Sequence, residues 1–232
     1  MANPFQAAEA SWLSRRGLWL LARLMMGSSA FRRKVRILGE TEDYLSWLQS
    51  EFGRIRLLKS REDLWGLMMA DMDKGAWTVY EFGVAWGYAT RHWLSRGLPS
   101  VVAWHGFDRF TGLPRAWRDV EEGEFDAQGR PPVLADPRVV WHVGDVEETL
   151  PAVEITSTRK CLLFDLDLYE PTAFAWNRLR SHLNPGDLLY FDEAYDQDER
   201  RVLVEHLLPE FRLELIGSTT YALALRVVGV RS

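Results

Sequence analysis

The 232-residue chain has a single cysteine, Cys161, so no disulfide can close within it. Set in the apolar run Cys161-Leu162-Leu163-Phe164, that thiol fits a reducing compartment, and a cytoplasmic protein is expected. The chain also lacks a basic surplus: 28 Lys and Arg face 33 Asp and Glu, for a net charge of −5. A nucleic-acid partner is therefore not expected, because binding a phosphate backbone calls for a basic stripe. The one basic concentration, Arg32-Arg33-Lys34 with Arg36, reads as a solvated face. Long apolar runs are missing too. Residues 15–30, RRGLWLLARLMMGSSA, are interrupted by Arg23 and preceded by Glu9, so neither an export signal nor stable membrane insertion is expected. The stretch reads as an amphipathic helix lying over a pocket, at a subunit contact or on a membrane surface. Finally, the chain has no G-x-G-x-x-G and no Tyr-x-x-x-Lys, which counts against a nicotinamide-dependent oxidoreductase.

What is present is ordinary globular material, 47% hydrophobic and 26% charged, without repeats or low-complexity segments. The length suits one well-buried α/β domain. Eleven tryptophans are unusual and fit core filling, an aromatic pocket or an interface.

The chain is organised around residues 77–91, WTVYEFGVAWGYATR. Trp77, Val79 and Phe82 are residues a buried strand prefers, and Tyr88 to Leu94 reads as the first turns of a helix. A strand, a glycine turn and a helix follow from this. Gly83 and Gly87 let backbone approach a ligand, and the helix N-terminus offers free N–H groups. Glu81 before the first glycine sits beside a cationic or hydroxyl-rich ligand, which S-adenosylmethionine is and a pyrophosphate is not. The plainer reading is a turn with glycines for packing only.

Upstream, residues 5–26 and 40–58 read as helices, and 61–72 as a third that stops at Asp73-Lys74-Gly75. Residues 1–60 are expected to form a helical cap or dimerisation segment, and 61–232 the main domain. Downstream, strands are expected at 101–108, 138–145, 161–167 and 187–193. A helix is expected from Pro171-Thr172 to Leu183 and another over 198–208, then antiparallel strands at 211–216 and 221–228. The pattern predicts a mostly parallel sheet of about seven strands with a C-terminal antiparallel hairpin and helices on both faces. Asp108 closes the second strand about 20 residues past the glycines, where an acid accepts ribose hydroxyls in the analogous fold.

Acids end the other strands as well: Asp165 or Asp167 after the fourth, Asp192-Glu193 after the fifth. First, fourth and fifth strands are neighbours in a doubly wound sheet, so Asp165, Asp192 and Glu193 are expected to converge. Ionised carboxylates that close need a cation, and Mg²⁺ suits them; the alternative is that they are helix caps and solvated loop ends. None of the five histidines falls with these acids by spacing, and each is read as structural unless the fold brings His105 or His142 to the pocket.

In order, EFGVAWGYAT, GFDRFTGLPRAW, GDVEETLP, FDLDLYEPT and LNPGDLLYFDEAYD resemble the signature blocks of the macrocin O-methyltransferase-like group of class I S-adenosylmethionine-dependent methyltransferases, over about residues 77–195. The resemblance implies a Rossmann-like methyltransferase fold, Mg²⁺, and methyl transfer to a hydroxyl of a sugar or similar small-molecule acceptor in natural-product biosynthesis. It implies that Glu81, Gly83, Gly87 and Tyr88 form the methionine side of the cofactor pocket, and that Asp108 holds the ribose with Arg109 and Phe110 beside it. The resemblance further implies that Gly144 and Asp145 flank the adenine. Asp165 is implied as metal ligand and general base that also faces the cofactor, with Asp192 and Glu193 completing the metal set. Two departures stand out: Glu193 replaces an aspartate, and Arg109 replaces a small hydroxyl residue. The N-terminal helices are expected to support a homo-oligomer. A non-catalytic S-adenosylmethionine-binding scaffold is the remaining rival.

Overall fold

A computed structural model of the chain describes residues 15–72 and 75–231. The start of the first expected helix (5–14) and the Asp73-Lys74 stop fall outside these. The chain divides into two compact units, 1–43 and 44–232. Helices α1 (Arg15–Gly27) and α2 (Ser29–Phe52) carry the first unit, and the end of α2 runs into the second. In the second unit the order is α3 (Arg61–Asp71), β1 (Trp77–Phe82), α4 (Tyr88–Ser95), β2 (Val101–Asp108), β3 (Val139–Val143) and β4 (Arg159–Phe164). It continues with α5 (Tyr169–Leu179), β5 (Leu188–Phe191), α6 (Gln197–Val202), β6 (Phe211–Ser218) and β7 (Leu223–Val230).

These strands form one seven-stranded sheet in the order β3-β2-β1-β4-β5-β7-β6. β1 to β5 pair in parallel, while β7 lies antiparallel between β5 and β6. The expected architecture is therefore observed, with the strand order reversing at β1, where such sheets open a crevice beyond their C-terminal ends.

Every residue of β1 is buried, because helices cover both faces. On one face Tyr80, Phe82, Leu162, Phe164 and Phe191 pack under Trp176 and Leu179 of α5 and Tyr44 and Leu48 of α2. On the other, Trp77, Val79, Cys161 and Tyr190 pack under Leu64, Trp65 and Met68 of α3 and Trp93 of α4. Trp65, Trp77, Trp93, Trp104 and Trp176 are fully buried, so this part of the tryptophan surplus is core. Tyr44 ties the end of α2 to the hairpin, its hydroxyl 2.8 Å from Ser218 Oγ and donating to the Ala222 carbonyl at 3.1 Å. At α3, Ser60 caps the first turn by accepting from the Asp63 N–H at 3.1 Å, with Glu62 and Asp63 opposing the helix dipole.

Several elements differ from the sequence expectation for local reasons. The helix expected over 40–58 is α2, which starts at Ser29, runs through Gly39 without a break and ends at Phe52. β4 and β5 end at Phe164 and Phe191, short of 167 and 193, because the chain leaves the ladder to form loops; Asp167 adopts φ +61°. The helix expected over 198–208 is α6 followed by a wider π turn at Leu203–Leu207. Among the described residues no helix is long and apolar enough to cross a membrane.

Candidate active site

Phenylalanines at the last position of β1, β4 and β5 and the last but one of β2 stack in a row across the sheet. Phe107, Phe82, Phe164 and Phe191 have successive ring centroids 5.0, 5.3 and 4.7 Å apart, at interplanar angles of 20°, 16° and 17°. Immediately after each comes Asp108, Gly83, Asp165 or Asp192. An aromatic layer thus lies directly beneath the carboxylates, a low-dielectric floor for charged groups.

Above this floor opens a cavity of about 780 Å³, a size that holds a nucleoside-type cofactor with room for part of an acceptor. Of the residues the sequence singles out, Gly83, Tyr88, Asp108, Arg109, Gly144, Asp145, Asp165, Asp192 and Glu193 line it. Arg61, Trp86, Arg115, Asp167 and Glu170 line it in addition. Three residues expected to touch the cofactor stand off the wall. Glu81 points into the opposite face, where its Oε2 accepts from Thr90 Oγ1 and from Trp104 Nε1 at 2.7 Å. Gly87 caps α4 with φ +74° and faces Pro132, leaving no room for a Cβ. Phe110 is fully buried against Trp141.

Asp108 acts on backbone. Its Oδ2 accepts from the N–H groups of Val84 and Ala85, both at 2.7 Å, and its Oδ1 from that of Phe110 at 2.5 Å. Three charge-assisted bonds therefore fix the glycine turn to the loop after β2. Ala85 and Phe110 are held at φ +45° and +59°, conformations that surrounding contacts must enforce. Further along, Arg109 Nε lies 3.2 Å from Asp145 Oδ1, so these two form an ion pair at the β3 end of the cavity.

The acids at the β4–β5 end gather as expected. Burial first, then Asp192 and Asp167, push the Asp165 carboxyl well above its ordinary value. Burial with Asp192 and Asp196 raises Asp167 to about 7, and burial with Asp192 and Asp167 raises Glu193 to about 9 against the pull of Arg118. Asp192 is also raised by burial, offset by Arg61. Its two oxygens are engaged: Oδ2 accepts from Arg61 Nη1 at 3.1 Å and Oδ1 from the Tyr190 hydroxyl. Glu199, on α6, spans the two acidic loops, accepting from Leu166 N at 3.3 Å and Glu193 N at 3.1 Å.

Sequence reasoning missed Arg61 and Glu199, whose roles arise from tertiary contact. It also passed over a readable signal, the Phe-Gly or Phe-Asp pair repeated at 82–83, 107–108, 164–165 and 191–192.

The donors are all carboxylate oxygens, chemically right for magnesium. In arrangement they do not fit: among the described residues no three His, Cys, Asp or Glu side chains stand as a metal-holding group.

No protein-family model matches the sequence, and no curated protein sequence matches it. Among solved structures the fold resembles that of CalS11, described as a calicheamicin methyltransferase, with a TM-score of 0.55 and 23% identity over 97% of this chain and 97% of that one. The apo structure of CalS11, described as a TDP-rhamnose 3'-O-methyltransferase in calicheamicin biosynthesis, superposes with a TM-score of 0.51 and 24% identity, covering 92% of this chain and 95% of that one. The chain thus has the Rossmann-like fold of class I methyltransferases.

Proposed function

We propose that this protein transfers the methyl group of S-adenosylmethionine to a hydroxyl of a small-molecule acceptor, a sugar or related natural product. The observation that carries the reading is the cavity at the C-terminal ends of β1 to β5, with backbone turns at one end and buried carboxylates at the other. The CalS11 sheet, and the sugar substrate in that protein's description, support the acceptor class.

Transfer from a sulfonium is an in-line displacement with a good leaving group, so most of the rate comes from holding the acceptor oxygen against the methyl carbon. The glycine turn, pinned by Asp108, carries the cofactor's edge. The acids favour a cationic donor, and the sulfonium in turn favours ionised Asp165 against its burial. Asp165 so charged accepts the acceptor's hydroxyl proton as the bond to the methyl carbon forms. Magnesium, which the family resemblance implies, would need Asp192 freed from Arg61, and no step is routed through it. We assign a subunit contact to residues 15–43, supported by the exposed Trp19, Leu20, Leu24, Met26 and Leu38.

Methyl-labelled S-adenosylmethionine incubated with nucleotide sugars tests the reading. Label transfer to a sugar hydroxyl is expected, with S-adenosylhomocysteine released in equal amount. Saturable binding of a nicotinamide cofactor, with none of S-adenosylhomocysteine, would overturn it.

A further inference from the structure

Arg61 enters the cavity from the first turn of α3. Its guanidinium lies over the rings of Trp65 and Tyr88, 5.4 and 5.1 Å from their centroids. It is held to the site by the 3.1 Å bond to Asp192, and Asp165 also pulls on it. Asp192 is buried, but the Arg61 side chain keeps 32% of its exposure and can be reached from the cavity. The other two guanidiniums on the cavity wall are committed elsewhere: Arg109 to Asp145 after β3, Arg115 to Glu170 on α5. Among the described lining residues, Arg61 is therefore the cation of the β1–β4–β5 end.

We propose that Arg61 is the subsite for the α-carboxylate of the cofactor's methionine moiety, and that it exchanges Asp192 for that carboxylate as the cofactor enters. The inference rests on the cofactor reading above. The methionine end of S-adenosylmethionine carries a sulfonium and an ammonium, which the wall of acids attracts, and one carboxylate, which the same wall repels. An anion is tolerated there only on a cation. A guanidinium offers five donors in a planar fork that matches a carboxylate, and the two aromatic faces hold that plane while its partner changes. The exchange has a consequence for order. With the cofactor absent, Asp192 is neutralised by Arg61; with it bound, Asp192 is released toward the acceptor, so the cofactor binds first.

The test is calorimetry on the full chain with two probes, S-adenosylhomocysteine and its decarboxylated amine analogue, against wild type, Arg61→Lys and Arg61→Gln. Wild type is expected to prefer S-adenosylhomocysteine by about tenfold or more, the worth of one charge-assisted contact. In Arg61→Gln the preference falls to about one while the amine analogue keeps its affinity within about twofold, and Arg61→Lys lies between. A preference undiminished in Arg61→Gln, a wild-type preference of about one, or loss of both probes in a variant that melts like wild type would each overturn the assignment. Failure of wild type to bind either probe would instead remove the cofactor reading, and this inference with it.

Discussion

Gly83 lies against the backbone carbonyl of Asp165, so close that a Cβ built on the glycine would stand 1.7 Å from that oxygen, at φ +85°. The cofactor turn and the acidic loop are thus in main-chain contact, and neither can move aside as a side chain would. Gly83→Ala should cost at least ~3 kcal/mol from combined clash and backbone strain. Calorimetric melting should register this as a fall of roughly 6–12 °C, with no measurable binding of S-adenosylhomocysteine. A variant that melts and binds like wild type would show that the contact gives way.

Asp108 should behave as a brace for the turn. Asp108→Ala strands the N–H groups of Val84, Ala85 and Phe110, at about 1–3 kcal/mol for each one that water does not reach. Cofactor affinity and stability should fall together. Asp108→Asn keeps one carbonyl acceptor and should fall between. If Asp108→Ala lost affinity without any change in melting, the carboxylate would be acting on ligand alone.

Glu81 sets a pH dependence of stability. Burial raises its carboxyl from 4.5 to about 7, and its Oε1 has no partner. A folded-state value above the unfolded one means the folded protein holds the proton longer, so stability is full below about 4.5 and declines as pH rises to about 7. Glu81→Gln carries no such ionisation. It should match wild type near pH 4.5 and exceed it at pH 8 by on the order of 2–3 kcal/mol. Parallel melting curves of the two proteins across this range would refute the assignment.

Glu199 should act on turnover more than on cofactor binding. It joins Leu166 N to Glu193 N, and so sets the spacing of the two loops that bear Asp165 and Asp192. Glu199→Ala should lower kcat by about 10- to 100-fold, since misplacement by an ångström has that effect, with the affinity for S-adenosylhomocysteine held within about threefold. An equal loss in both would mean that α6 supports the whole cavity.

Ligand-free protein should show no saturable magnesium site. Both Asp192 oxygens are engaged, and no three described acids are arranged as ligands. EDTA should leave the melting temperature unchanged, and a magnesium titration should give only dilution heats. One saturating ion per chain would show that the acids assemble without the cofactor.

Much of this was legible in the residues, and what was not has an identifiable cause. Strand β1 and the turn after it are readable because β-branched and aromatic residues stop at a glycine whose φ only glycine adopts with ease. Convergence of Asp165, Asp192 and Glu193 follows from strand adjacency alone, which the alternation of strands and helices predicts and the sheet order bears out. The ends of β4 and β5 were placed too far on, because Asp165, Asp167, Asp192 and Glu193 continue the composition of their strands although Asp167 turns out of them at φ +61°. Arg61 carried no local mark: its partner stands 131 residues away, and within α3 it reads as one charged residue among four. Glu81 looked like a ligand because it precedes the glycine, but the two-residue period of the strand points it at Trp104 and Thr90 instead.

Strand β7 follows β6 in the chain but is slotted between β5 and β6, with Leu188 to Phe191 paired to Arg226 to Leu223. A chain that has emerged only as far as residue 222 therefore leaves the outer edge of β5 unpaired, while β4 already holds its inner edge and Arg61 and Tyr190 already hold Asp192. The sheet is thus completed out of chain order, and a stop codon ahead of Leu223 would remove both the outer partner of β5 and the strand that joins β6 to the sheet.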